Sequence, residues 1–166
     1  EWLKRFAPLA EMGKSEGDAL RFVPTQAALL DALLAAQETD HVQVDRQFAK
    51  LRERLRSFDG IQPREEPTSF VGELRRYQRA GLGWLHFLDE FGFGGCLADD
   101  MGLGKTVQIL AWLEQRRHQR LDKRGRKRRN ARPATSIVVV PRSLVFNWLE
   151  EARRFTPELQ VLNYTG

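Results

Sequence analysis

Apolar residues recur every three or four positions in several stretches of the chain, and each stretch predicts an amphipathic helix. After Pro24, "QAALLDALLAAQ" consists of strong helix formers. Thr25 stands where an N-cap belongs, and Leu29, Leu30, Leu33 and Leu34 make the apolar face. A second helix is expected from near Asp45, with Phe48, Leu51, Leu55 and Phe58 on one stripe and Asp59-Gly60 ending it. A third spans Leu74 to Glu90, striped by Tyr77, Trp84, Leu88 and Phe91. A fourth runs from Thr106 to about Gln119, and a fifth from a cap at Ser143 to Phe155. Ahead of these, Trp2, Leu3, Phe6 and Leu9 have roughly helical spacing, and "GKSEGD" reads as a polar turn or hairpin loop.

Three other apolar runs are short and continuous: "GCLAD", "SIVVVP" and "LQVLNY". Runs of this kind predict buried strands. From Gly94 the order is then strand, loop, helix, strand, helix, strand, which implies an α/β fold, a parallel sheet with right-handed crossovers flanked by helices. "GIQPREEPTSF" is a Pro-rich polar connection that places the main boundary near residue 67. Residues 1–66 form a mainly helical segment, and residues 67–166 the α/β part. The chain shows no internal repeat.

Composition narrows the picture. The 166 residues are 42% hydrophobic, enough for one core or one core with an appendage. No apolar run reaches the length of a membrane span. The N-terminus, "EWLKRF", lacks an initiator Met and reads as the start of a piece from a longer protein. The single cysteine, Cys96, provides no disulfide framework and no zinc site, and His41, His86 and His118 show no metal spacing. The net charge of +5 is local: residues 116–132, "RRHQRLDKRGRKRRNAR", carry ten Lys or Arg against one Asp, and the remainder of the chain is net acidic. Such a segment either tracks a nucleic-acid backbone or is a solvated connection between helix and strand.

The candidate chemistry is concentrated in "CLADDMGLGKTVQIL", residues 96–110. On residues 99–106 the pattern G-x-x-x-x-G-K-[ST] is met at Gly104, Lys105 and Thr106, with Asp99 in place of the first glycine. An expected strand precedes the loop and an expected helix follows it. Gly102 and Gly104 allow backbone N–H groups to curl around a phosphate, and the helix N-terminus adds partial positive charge. Lys105 would reach the outer phosphates and the Thr106 hydroxyl would hold magnesium. Asp99 and Asp100, at the mouth of such a loop, read as shaping it rather than as an acid–base pair, because their charge would repel phosphate unless turned away.

Upstream of the loop stands "ELRRYQRAGLGWL", and downstream "IVVVPRSLVFNWLEEARRF". In this order, around "LADDMGLGKTVQIL", these segments resemble the SWI/SNF-type (Snf-two-like) ATPases, the chromatin-remodelling branch of helicase superfamily two. The resemblance runs from about Glu73 to Gly166 and looks like the bacterial members; residues 1–66 more faintly resemble the end of the accessory region that precedes the motor there. It implies the first part of a RecA-like lobe. It also implies ATP and Mg2+ as ligands, with Asp99, Asp100, Met101, Gly102, Leu103, Gly104, Lys105 and Thr106 around the phosphates, Thr106 on magnesium, and Lys105 and Thr106 carrying the catalytic role. Gln78 would read adenine through an amide that pairs with both N6 and N7. Arg142, Ser143 and Asn147 would meet the backbone of double-stranded DNA. Trp148 reads as a core residue of its helix, and residues 1–66 as a surface for protein partners. A bacterial source implies the cytoplasm, in association with the nucleoid, and a eukaryotic source the nucleus.

A motor of this type also needs an acidic pair for magnesium and the attacking water, and arginines from a second lobe. Neither is present up to Gly166, so the 166 residues alone are expected to hold nucleotide without turning it over. Two other function classes remain open. One is a different P-loop enzyme, a GTPase or small-molecule kinase, against which Gln78 and "VPRSLVFNW" count. The other is a non-catalytic interaction module, against which an intact Lys105 and Thr106 count.

Overall fold

The structure, a computed structural model, describes residues 13–17, 19–35, 43–120 and 135–164. Its elements in chain order are β1 (Lys14–Glu16), β2 (Ala19–Arg21), a 3-10 turn at Pro24–Gln26, α1 (Ala27–Ala35), α2 (Arg46–Arg56), α3 (Arg76–Phe91), α4 (Lys105–Gln119) and α5 (Arg142–Phe155). They fall into two compact units. One contains residues up to Gly60 together with Phe87–Gly95, and the other Ile61–His86 together with the residues from Cys96 onward.

In the first unit "GKSEGD" supplies a strand as well as a turn. Lys14, Ser15 and Glu16 pair antiparallel with Arg21, Leu20 and Ala19. Thr25 does not cap α1: it lies inside the 3-10 turn, where the Val23 N–H donates to Gln26 Oε1 at 2.9 Å. Pro24 explains the tighter start, since its fixed φ suits a first turn and it has no N–H to satisfy. Of the expected apolar face, Leu30 is buried while Leu29 is half exposed. α2 begins as expected, with Asp45 Oδ1 accepting from the N–H groups of Gln47 and Phe48 at 2.7 and 2.8 Å. Its arginines bind outward: Arg52 and Arg56 both pair with Asp31 of α1. Arg54 donates to the carbonyl and carboxylate of Glu90, and its guanidinium lies 4.8 Å from the centre of the Phe91 ring. Phe58, Phe87, Phe91 and Phe93 form an aromatic cluster with ring centroids 4.9–5.8 Å apart. The helical spacing at Trp2 to Leu9 lies outside the described residues.

The second unit holds the candidate site. Its core joins Phe70, Leu74, Leu82 and Ala111, with Val107, Trp112 and Phe155 packed against them. The face of α3 that this core uses is not the stripe read from the sequence. Leu82, Leu85 and Gln78 are buried, whereas Tyr77 is 39% exposed. Two glycines let α3 approach its neighbours: a Cβ on Gly83 would stand 2.0 Å from the carbonyl oxygen of Gln62, and one on Gly81 would stand 1.9 Å from Gln108 Oε1. α5 starts one residue before the expected cap. Pro141 occupies the N-cap position without a side-chain hydrogen bond, and Ser143 lies inside the first turn.

The expected parallel sheet is not found among the described residues, whose only sheet is the β1–β2 hairpin. "GCLAD", "SIVVVP" and "LQVLNY" form no strand, and Cys96 is exposed. The physical reason is a lack of partners. A buried strand needs ladder bonds on its edges and a layer over its faces, but Ile137 is 85% exposed, Val139 91% and Leu162 91%.

Two carboxylates, one half-buried and one fully buried, tie the second unit together. Glu66 accepts from Arg79 at 2.8 and 3.0 Å and from the Leu74 N–H at 3.2 Å. The Arg79 hydrogen bond outweighs burial and lowers the Glu66 carboxyl from 4.5 to about 2. Glu114, fully buried, accepts from Ser69 at 2.5 Å and from Arg117 at 2.7 and 2.9 Å. Burial is the largest influence on it and favours the neutral acid, but the bonds from Arg117 and Ser69 prevail, so its carboxyl titrates below the ordinary range.

A depressed folded-state pKa contributes stability that is complete above the unfolded value and disappears as pH falls through the folded one. The stability gap between wild type and Glu66→Gln should therefore be full above pH 4.5 and close as pH falls toward about 2. Urea unfolding at a series of pH values measures it, and a gap that stays constant over that range would contradict the assignment.

Candidate nucleotide-phosphate site

Residues 99–106 form a turn that ends at the N-terminus of α4. Gly102 has φ +83° and Gly104 φ +73°, both in the left-handed region. Gly104 is the N-cap and provides no side-chain bond, so the first amides of α4 are left for another acceptor. A Cβ on Gly102 would meet nothing within 4 Å, so the protein leaves space beside that stretch of backbone.

The Lys105 side chain folds back over the turn. Its ammonium donates to the carbonyl oxygens of Asp99 at 2.6 Å and Asp100 at 2.9 Å, which commits two of its three protons. The two aspartates thus act on Lys105 through their backbone. The Asp99 carboxylate is turned to the side, where Oδ2 accepts from Gln108 Nε2 at 3.0 Å.

The carbonyl of Leu103 is held from α3. It accepts from the Tyr77 hydroxyl at 3.0 Å and from Gln78 Nε2 at 3.1 Å. Gln78 is 8% exposed, and its other amide end is also used: Oε1 accepts the Arg75 N–H at 2.9 Å, closing the first turn of α3. Gly104 makes room for this amide, since a Cβ there would stand 2.6 Å from Gln78 Nε2.

Above the turn lies a cleft of about 510 Å³ lined by Met101, Gly102, Gly104, Lys105, Thr106 and Val107, and on its far side by Glu151, Arg154 and Phe155 of α5. Burial pushes the Glu151 carboxyl above the ordinary range, opposed by the nearby Arg154. Thr106 lines the cleft, half-buried, and Met101 is almost fully exposed. The expected site residues Gln78 and Asp99 to Thr106 are therefore brought together. Arg142, Ser143 and Asn147 are not among the lining residues; they are exposed on the first half of α5, and the lining residues come from its second half. Trp148 is half-buried. Residues 121–134, most of the basic segment, lie outside the described residues; within the segment, Arg116 stacks over Trp112 at 4.8 Å and Arg117 pairs with Glu114 and Glu158.

Sequence reasoning missed Tyr77, Gln108 and the α5 lining residues. Tyr77 adjoins Gln78 and Gln108 stands one helical turn after Lys105, so proximity to expected residues was the only available signal. Among the described residues no group of three or more His, Cys, Asp and Glu side chains is placed to hold a metal ion.

A left-handed glycine turn, a helix N-terminus and a lysine over an open cleft are the geometry that an anion-binding loop requires. Comparison with known proteins places it more closely. The SNF2-related domain family matches residues 77–166, and the chain belongs to that family. Membership implies a RecA-like fold for this part of the chain. YwqA of Bacillus subtilis, named as an ATP-dependent helicase/translocase, is 36% identical over 123 residues, covering 74% of this chain and 12% of that protein. Human TATA-binding protein-associated factor 172 is 33% identical over 172 residues, 96% of this chain and 9% of that protein. The human SWI/SNF-related matrix-associated actin-dependent regulator of chromatin subfamily A member 1 is 42% identical over 104 residues, 61% of this chain and 9% of that protein. The chain thus spans 9 to 12% of the length of these relatives.

The two loop glycines make different demands. Alanine at either position suffers the left-handed strain of about 1–2 kcal/mol, but only at 104 does it also displace the Gln78 amide. Gly104→Ala should lower the thermal unfolding temperature without nucleotide more than Gly102→Ala does; equal shifts would show that the contact to Gln78 carries no weight.

Proposed function

We propose that the chain is the ATP-binding segment of the first RecA-like lobe of a DNA-dependent ATPase and translocase of the SWI/SNF type. Residues 1–66 are its preceding accessory segment and a surface for protein partners. The observation that carries this reading is Lys105, whose ammonium is poised on two loop carbonyls in a cleft at the start of a 15-residue helix. Family membership and the names of the relatives support it.

The residues present suit a nucleoside triphosphate. The backbone at Gly102 is open to close approach, the α4 amides have no side-chain cap, and Lys105 needs only to exchange carbonyl oxygens for phosphate oxygens. Magnesium, when bound with nucleotide, would neutralise phosphate charge, and the Thr106 hydroxyl would help to hold it. Gln78 carries the donor and the acceptor that adenine requires, after release of Leu103 and Arg75. Arg142, Ser143 and Asn147, exposed on α5, are the contacts to the backbone of duplex DNA. The segments "GCLAD", "SIVVVP" and "LQVLNY" become strands of a parallel sheet when the rest of the lobe supplies their partners, and their apolar residues then leave solvent. The 166 residues alone bind nucleotide without hydrolysing it, because the acidic pair and the second-lobe arginines are contributed elsewhere.

In the complete protein, Lys105→Ala should weaken binding of a fluorescent ATP analogue by at least tenfold, in line with losing charge-assisted bonds to phosphate. Gln78→Ala should narrow the preference for ATP over GTP more than it weakens ATP. Unchanged affinity in Lys105→Ala would overturn the assignment.

The basic segment extends the same reading. Charge reversal or neutralisation of Arg126, Lys127, Arg128 and Arg129 should flatten the slope of log affinity for duplex DNA against log salt, by up to about 0.9 for each phosphate no longer neutralised. An unchanged slope would make the segment a solvated connection.

A further inference from the structure

Gln108 lies on the core face of α4, fully buried beside the equally buried Ala111. Its side chain is an odd occupant of that place. Oε1 has no hydrogen-bond partner, and a stranded buried acceptor is costly where an apolar side chain of similar length would pack without loss. The other end of the amide makes one polar contact, with the carboxylate of Asp99 at 3.0 Å. Its backbone N–H makes only the ordinary first-turn bond of α4, to the Gly104 carbonyl at 3.2 Å, so what is particular to Gln108 is the side-chain hold on Asp99.

The grip leads directly to the lysine. The Asp99 carbonyl is the nearer of the two acceptors for the Lys105 ammonium, at 2.6 Å against 2.9 Å. Fixing the Asp99 side chain fixes the peptide that presents this oxygen. On the opposite side, α3 gives the amide room only because residue 81 is glycine: a Cβ there would lie 1.9 Å from Oε1 and 3.1 Å from Cδ.

We infer that Gln108 is a positioning residue for the phosphate loop. It holds Asp99 so that the loop and the Lys105 ammonium keep the geometry that receives phosphate, and Gly81 is the residue that admits it. This rests on the nucleotide-binding reading above and deepens it. A purely structural Gln108 would be replaceable by an apolar residue without effect on nucleotide, and its interaction with Asp99 would have no preferred direction.

The test is a donor–acceptor exchange in the complete protein, read as equilibrium affinity for a fluorescent ATP analogue well below the unfolding temperature. Gln108→Glu sets a carboxylate against that of Asp99 and should weaken binding roughly ten- to a hundredfold. Adding Asp99→Asn restores a hydrogen bond of reversed polarity at the same total charge, and the double variant should recover most of the lost affinity. Gln108→Met, which keeps length and packing, should weaken binding by about tenfold with little change in unfolding temperature. The inference is overturned if Gln108→Met binds as wild type does, or if the double variant remains as weak as Gln108→Glu. Should Gln108→Glu or the double variant fail to fold, Gln108→Met alone decides. Lys105→Ala, measured alongside, separates the two levels: if it too binds like wild type, the nucleotide reading has failed, and if it loses binding while the Gln108 variants do not, only the positioning role has failed.

Discussion

A lysine ammonium at a helix N-terminus places full positive charge against the partial positive charge of unpaired amides, and that repulsion has to be offset before any anion arrives. Here the offset is the pair of carbonyls at Asp99 and Asp100. For these oxygens to point at Lys105 the chain must double back within a few residues, and this is why left-handed backbone at Gly102 and Gly104 is needed. The turn would be loose by itself. It is held on one side by Tyr77 and Gln78 through the Leu103 carbonyl, and on the other by Gln108 through Asp99. Each support comes from a helix, so the precision of the loop is borrowed from the packing of α3 and α4.

That packing is fixed by charge as much as by apolar contact. The core cluster of this unit is small, and two carboxylates are built into its margins. Glu66 ties the segment before α3 to α3 itself through Arg79. Glu114 ties α4 to Ser69 and, through Arg117, to Glu158 beyond α5. Both carboxyls titrate below their ordinary range, so the partners more than compensate burial. Removing one partner from such a pair costs more than the pair contributes, because the other charge is left in the core. The unit is therefore specific about how α3 meets α4, and the loop inherits that specificity.

The helices were legible in the sequence because their period is local. α2 begins at Arg46 with Asp45 as its cap, close to the expected start; α4 begins one residue early, and the cap of α5 lies two residues before the expected Ser143. The loop was legible too, since glycine at forced positions followed by lysine and threonine is a local code. Strands were not, because an apolar run becomes a strand only when other segments hydrogen-bond to it, and residues 135–140 and 159–164 find none among the described residues. The stripe on α3 was read in part: Phe91 is buried and Trp84 and Leu88 half-buried, but Tyr77 is not in the core. Tyr77 looked like a core residue, but its hydroxyl seeks the Leu103 carbonyl and keeps the ring near the surface. Gln108 was invisible because nothing in the sequence says that a glutamine on an apolar face will meet an aspartate nine residues earlier.

The double use of Gln78 bears on what an adenine reader can achieve at this site. Its amide is not waiting unpaired for a base: Oε1 serves Arg75 and Nε2 serves Leu103. On the proposed reading, a bound adenine replaces two protein bonds by two base bonds, and such an exchange is nearly neutral in free energy. Gln78 then adds little to affinity, which falls to Lys105 and the α4 amides. A base with the wrong donor and acceptor order would instead leave a buried amide mismatched, and that penalty is not exchanged for anything. Selectivity arises from the mismatch rather than from the match. The same exchange frees the Leu103 carbonyl of one of its two donors while Tyr77 retains the other, so the loop loosens on the α3 side when base is bound, and its hold on the α4 side, through Gln108, is what keeps Lys105 in register.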